Sequence, residues 1–149
     1  MKVTFYYVRH GKTLFNEMGR MQGMCDSPLM KEGIKGAENT ASALTKVKFA
    51  SCYSSSSQRA WDTAEIICRP HGIHPILMKE LREFDFGNLD GEYLKDVKKD
   101  KGNYFTREDW SEYGGDTMAS FARRSEYAFD EMLHHSKDGD KVLVVGHGA

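Results

Sequence analysis

Apolar residues fall along this chain in short runs that alternate with helical stripes. Residues 3–8, Val-Thr-Phe-Tyr-Tyr-Val, form a run without polar alternation, the pattern of a parallel strand covered on both faces. Ile34, Ala37, Ala41 and Leu44 recur at helical spacing and predict a helix over 31–47. Residues 49–53 predict a short strand. The serines from Ser54 to Ser57 read as a turn whose last member caps the next helix. That helix carries Arg59, Ala60, Ala64 and Ile67, and Pro70-His71-Gly72 ends it. Residues 75–78 predict another short strand. Phe121, Ser125, Ala128, Phe129 and Met132 share one face of a helix over 117–134, capped by Asp116 or Thr117, and residues 141–145 form a second apolar strand. From Leu81 to Gly115 the periodicity is poor, with Tyr93, Tyr104, Phe105, Trp110 and Tyr113 scattered among charges. This stretch is either a functional loop or lid, or a surface excursion with a short helix near 92–99.

Alternating strands and helices predict an α/β domain, a three-layer α/β/α sandwich with a mostly parallel central sheet. Without repeats or a Pro/Gly/Ser linker, residues 1–149 read as one domain. A chain of this length buries roughly two thirds of its unfolded surface. The net charge of -1 and pI near 6.6 supply no electrostatic drive toward nucleic acid or an anionic membrane. The first apolar run is too short for a signal peptide or a spanning helix. Three irregularly spaced cysteines, Cys25, Cys52 and Cys68, read as free thiols of a cytoplasmic protein, with Cys52 and Cys68 in the core. His71 and His74 lack further ligands for a metal, and no Walker-type phosphate loop is present. The sequence therefore calls for no metal and no cofactor.

Its chemistry lies at the strand ends. Arg9-His10-Gly11 follows the first apolar run and His147-Gly148 follows the last, so two parallel strands deliver two histidines to the carboxyl edge of one sheet, where open α/β sheets bind ligands. Arginines beside them point to an anion. A neutral His10 could attack phosphorus and carry the phosphoryl group. Arg9 presents a planar fork of donors to phosphoryl oxygens, and Arg59 sits near a helix start that also favours an anion. His147 would donate to an equatorial oxygen. Glu83, in Leu81-Arg82-Glu83-Phe84, is the candidate acid for the leaving alkoxide, since a carboxylate beside bound phosphate is held protonated. Asp85 is the weaker candidate.

These residues resemble the histidine phosphatase superfamily, which includes the cofactor-dependent phosphoglycerate mutases. The resemblance runs in order along essentially the whole chain: Arg9-His10-Gly11-Lys12-Thr13 with Asn16, Gln22-Gly23, Asp26-Ser27-Pro28-Leu29 with Gly33, Ser54-Ser55 to Arg59-Ala60 with Thr63-Ala64, Leu81-Arg82-Glu83 with Gly87 and Asp90-Gly91, Gly114-Gly115-Asp116-Thr117 with Arg123, and Val144-Val145-Gly146-His147-Gly148. It implies that Arg9, His10, Arg59 and His147 form a phosphate pocket, that Asn16, Gln22 and Gly23 help line it, and that Glu83 is the proton donor. The implied function is hydrolysis of a small phosphorylated metabolite through phosphohistidine. Phosphoglycerate mutase and a non-catalytic phosphate-binding pseudoenzyme are the alternatives. The mutase branch implies paired arginines in a larger insertion after Glu83, whereas here 30 residues separate Glu83 from Gly114 and Arg107 is the one arginine among them.

Three departures stand out. Lys12 replaces an acidic residue and would add charge at the pocket mouth, and Met30 replaces a threonine cap. The chain also ends two residues after His147, where relatives continue with a helix and more sheet. A domain lacking its last helix and strand is expected to leave apolar sheet surface open and to favour a homodimer.

Overall fold

The computed structural model describes residues 1–101 and 107–148. The apolar runs become four parallel strands: β1 (Thr4–Arg9), β2 (Ser51–Ser54), β3 (Ile76–Leu77) and β4 (Lys141–Gly146). They form one sheet in the order β1-β4-β2-β3. The helices are α1 (Leu14–Met18), α2 (Lys31–Ala43), α3 (Gln58–Cys68), α4 (Leu94–Lys101) and α5 (Met118–His134).

β4 is the strand covered on both faces. Val142, Leu143, Val144 and Val145 are fully buried. The two-residue period sends Leu143 and Val145 to one face, against Ala41 of α2 and Ala60, Ala64 and Ile67 of α3. Val142 and Val144 face Ala128 and Met132 of α5. Helices thus cover both faces, giving the three layers the alternation predicts. Cys52 and Cys68 lie in the first of these clusters as free thiols.

β1 departs from expectation. Its apolar run suggests a strand covered on both faces, yet Tyr7 is 49% exposed; the sheet order also places the strand at an edge. Residue pattern alone cannot separate a central strand from an edge strand carrying large aromatics. α2 stops at Ala43, four residues early, where the amide of Leu44 turns back to the carbonyls of Thr40 and Ala41.

The helix starts show what local pattern can and cannot reveal. α5 begins with Thr117 as cap, its side chain and that of Ser120 satisfying each other's amides. α2 begins at Met30 without a side-chain cap, as its sequence implies. α3 begins at Ser57, but that hydroxyl makes no capping bond. Instead the amide of Gln58 donates to Oδ2 of Asp26 at 2.5 Å, a cap supplied from 32 residues away. α1 has no apolar stripe to announce it; Thr13 and Asn16 cap each other at its start.

The poorly periodic stretch folds as several short pieces rather than one element. α4 and one-turn helices at Lys79–Leu81, Gly87–Leu89 and Ser111–Tyr113 bring Phe84, Phe86, Val97 and Trp110 together with Met21 in a third apolar cluster. A short helix, α4, lies where one is expected near 92–99. Tyr104 and Phe105 lie outside the described residues. Among the described residues, no helix is long and apolar enough to cross a membrane.

Candidate active site

β1 and β4 are adjacent and in register, Arg9 opposite Gly146, and the last ladder bond runs from the amide of His10 to the carbonyl of Gly146 at 2.9 Å. The two histidines that follow therefore stand side by side, their ring centroids 5.4 Å apart. Gly11 keeps the loop after β1 tight. A Cβ there would lie 2.5 Å from the carbonyl oxygen of Gly33 at the start of α2. The amide of Gly11 donates to Oγ1 of Thr63 on α3.

His10 is 8% exposed, and its Nδ1 lies 2.7 Å from the carbonyl of Gly11. A carbonyl only accepts, so Nδ1 carries the proton and Nε2 carries the lone pair. Burial lowers the pKa of His10 to about 4; the Gly11 carbonyl opposes this, and the charges of Arg59 and Arg9 reinforce it. His147 is lowered to about 2, by burial first and then by Arg59 and His10. Both rings are neutral near pH 7. Nε2 of His147 is 2.8 Å from Oγ of Ser55, and Nδ1 is 3.4 Å from Nη2 of Arg59. Since Arg59 only donates, Nδ1 of His147 accepts and Nε2–H donates to Ser55.

The lowered pKa values make a stability prediction. The unfolded chain takes up protons on these histidines as pH falls through about 6.5, while folded His10 does so only near 4. Stability is therefore full above pH 6.5 and declines between 6.5 and 4. Thermal melts across this range should show a falling midpoint, with a shallower fall in His10→Ala. An unchanged slope in the variant would remove His10 as a contributor.

A cavity of about 520 Å³ opens beside His10. Arg9, His10, Asn16, Gln22, Glu83 and Gly148 line its polar end, and Met21, Phe84, Phe86, Leu94, Trp110, Met118 and Phe121 line the rest. Arg20 and Arg107 complete the wall. Arg107 pairs with Glu112, and Arg20 donates through Nε to the carbonyl of Gly91. Glu83 is 9% exposed, and its Oε1 accepts from the amide of Phe84 at 2.7 Å. Asp85 does not line the cavity, and its Oδ1 accepts from the amide of Gly87. Of the two carboxylates only Glu83 faces the space beside His10.

The other candidates divide. Asn16 lines the cavity, with its Oδ1 held by the amide of Thr13. Gln22 lines it too, fixed through Nε2 to Oγ1 of Thr13 and through Oε1 to the hydroxyl of Ser27. Gly23 does not line it, and its amide donates to Asp90 at 2.6 Å. Arg59 and His147 do not line it either: Arg59 is buried behind the 22–26 loop, and His147 lines a second cavity with Tyr7 and Phe121. The side chain of Arg59 is wholly buried and donates to the carbonyls of Gln22, Gly23 and Cys25 and to Asp26 at 3.0 Å. It braces the 22–26 loop while placing positive charge behind both histidines. Lys12 is exposed, pairs with Glu17 and does not line the cavity, so the charge it was expected to bring to the mouth is already met.

Several residues with structural work at the site escape the sequence. Asp26 ties the 22–26 loop to both Arg59 and the start of α3, and Asp90 gathers the amides of Gly23 and Cys25. Arg124, not the exposed Arg123, organises the loop that carries Glu83. Its guanidinium donates to the carbonyls of Glu80, Arg82 and Glu83 and to Asp116 at 2.5 Å. Asp116 in turn accepts from the amide of Asp85 and the hydroxyl of Ser120. Burial pushes its carboxyl up, but these bonds together hold it below the usual range. Replacing Arg124 by Met strands Asp116 and three carbonyls and should cost about 3 kcal/mol, read as a lower denaturation midpoint with Glu83 misplaced. A loss under 1 kcal/mol would show that the pair does not hold this loop.

The family model for "Histidine phosphatase superfamily (branch 1)" matches residues 5–149. "Probable phosphoglycerate mutase GpmB" of Yersinia pestis (strain Pestoides F) is 31% identical over 148 residues, 96% of this chain and 68% of that protein. Among solved structures, phosphoglycerate mutase from Bacillus anthracis str. Sterne superposes with a TM-score of 0.87 at 32% identity, covering 98% of this chain and 75% of that one. Bacillus stearothermophilus YhfR gives 0.90 at 30%, covering 99% and 75%. A mycobacterial glucosyl-3-phosphoglycerate phosphatase in complex with VO3 gives 0.87 at 30%, covering 95% and 74%. With an ordered motif set, a two-histidine site and a matching parallel sheet, the chain belongs to the histidine phosphatase superfamily, branch 1.

Proposed function

We propose that this chain hydrolyses phosphomonoesters through a covalent phosphohistidine on His10. The observation that carries this reading is the tautomer of His10: with Nδ1–H bound to the Gly11 carbonyl, a neutral imidazole offers its Nε2 lone pair at a cavity that also holds Arg9 and Glu83. In the first step Nε2 bonds to phosphorus as the ester P–O bond breaks, and Glu83 gives its proton to the departing alkoxide. Oε1 is committed to the Phe84 amide, so that proton rides on Oε2. In the second step water attacks phosphorus, the P–N bond breaks, and the Glu83 carboxylate recovers a proton from the water. Phosphate leaves and His10 is restored.

Charge accumulating on the equatorial oxygens is met by Arg9 at the cavity wall and by Arg59 and His147 behind it. Apart from Arg20 and Arg107, the remainder of the cavity is apolar and aromatic and suits the body of an apolar or aromatic alcohol.

Relatives named as mutases make phosphoglycerate mutase the second reading. Against it, Arg107 is already neutralised by Glu112 and so is poorly placed to grip a substrate carboxylate. The test pairs hydrolysis of an aryl phosphate in excess chelator with an assay for interconversion of 2- and 3-phosphoglycerate primed by the bisphosphate. Chelator-resistant hydrolysis without interconversion supports the phosphatase. Interconversion reverses the choice, and phosphate binding with neither reaction leaves a pseudoenzyme.

A further inference from the structure

We propose that Tyr7 is a positioning residue for His147, clamping its backbone through one hydroxyl. β4 ends at Gly146, so the amide and carbonyl of His147 lie past the last rung of the ladder. Both are satisfied by the same atom. Oη of Tyr7 accepts from the His147 amide at 2.8 Å and donates to the His147 carbonyl at 2.9 Å. A hydroxyl is the side-chain group that can do both at once, and an aliphatic or phenylalanine side chain at 7 could do neither. Gly146 makes the approach possible, since a Cβ there would lie 2.3 Å from Oη.

The clamp explains an otherwise costly choice. Tyr7 is a half-exposed aromatic on an edge strand, a position where a smaller or polar residue would serve solubility better. Burial of the hydroxyl raises its pKa, so it keeps the proton it donates. With the backbone fixed, the ring of His147 can hold its bond to Ser55 and keep Nδ1 toward Arg59. Gly148 is exposed, and a Cβ there would lie 3.3 Å from the guanidinium carbon of Arg9.

The inference rests on His147 belonging to the anion pocket, and its test uses orthovanadate, which binds without turnover. Tyr7→Phe removes the oxygen and keeps the ring. By calorimetry it should weaken orthovanadate binding about tenfold, the loss expected when His147 and the Arg59 guanidinium bonded to it lose their fixed position beside His10. In a His147→Ala background the same change should have no further effect. Equal weakening in both backgrounds, or none in the native background, overturns the proposal. A second readout needs no ligand: ring ¹⁵N–¹H spectra should show one Nε2–H tautomer of His147 in the native chain and a mixture in Tyr7→Phe, and an unchanged tautomer overturns the clamp. If Tyr7→Phe melts without cooperativity, 3,5-difluorotyrosine at position 7 retains ring and hydroxyl. It must then shift the His147 ring signals, and unshifted signals refute the proposal. Vanadate binding without hydrolysis would sink the hydrolase reading alone, whereas hydrolysis with an inert Tyr7→Phe would sink only the clamp.

Discussion

His10→Ala is expected to reduce aryl phosphate hydrolysis by at least about 10⁴-fold, because among the described residues no other group lining the cavity is set to take over as nucleophile. His147 is the nearest alternative, yet its Nε2 is turned to Ser55 and its Nδ1 to Arg59, behind the cavity wall. The fold should survive. His10 forfeits one hydrogen bond, to the carbonyl of Gly11, a loss of about 1–2 kcal/mol. The variant should also keep part of its affinity for inorganic phosphate, since Arg9 remains in the wall and Arg59 and His147 remain behind it. A His10→Ala chain that melts cooperatively and still turns over within tenfold of the native rate would mean that the nucleophile is elsewhere.

Glu83→Gln is expected to separate substrates by their leaving groups. A poor leaving group needs the proton, so release of an alkyl alcohol in a single turnover should slow by about 10²–10⁴-fold. An activated aryl alcohol departs without help, and its release should slow by less than about tenfold. The following phosphate release should slow for both, because the amide cannot accept the proton of the attacking water. The substitution keeps size and keeps the acceptor for the Phe84 amide, so the loop that carries Glu83 should hold its shape. Equal loss of alcohol release on both substrate types would remove Glu83 from the acid role. Asp85→Asn should leave the discrimination untouched, because Asp85 lies off the cavity.

The parts of the fold legible in sequence are those set by local periodicity. α3 and α5 could be read because their apolar residues follow one helical period, and β4 because its apolar run is unbroken. That β1 and β4 deliver His10 and His147 to one edge of the sheet was legible through chemistry; that the two strands are direct neighbours was not. What stayed hidden depends on distant partners. The Asp26 carboxylate caps α3 in place of Ser57, and Arg124 rather than its neighbour Arg123 faces the loop that carries Glu83; a one-residue difference on a helix turns a side chain by about 100°. The edge position of β1 was hidden because aromatic residues fill it as they would a core strand. The aromatic cluster over the cavity was illegible for a related reason. Phe84, Phe86, Trp110 and Met21 come from separate short pieces, so no single period links them.

The measurement that tests the central claim most directly is a rapid quench of the native chain with ³²P-labelled aryl phosphate in excess chelator, followed by peptide mapping. The account predicts transient label on the peptide containing His10, stable to base, lost in acid and absent from His10→Ala. Hydrolysis that proceeds at the native rate with no label at any time, or with label at another residue, would contradict it.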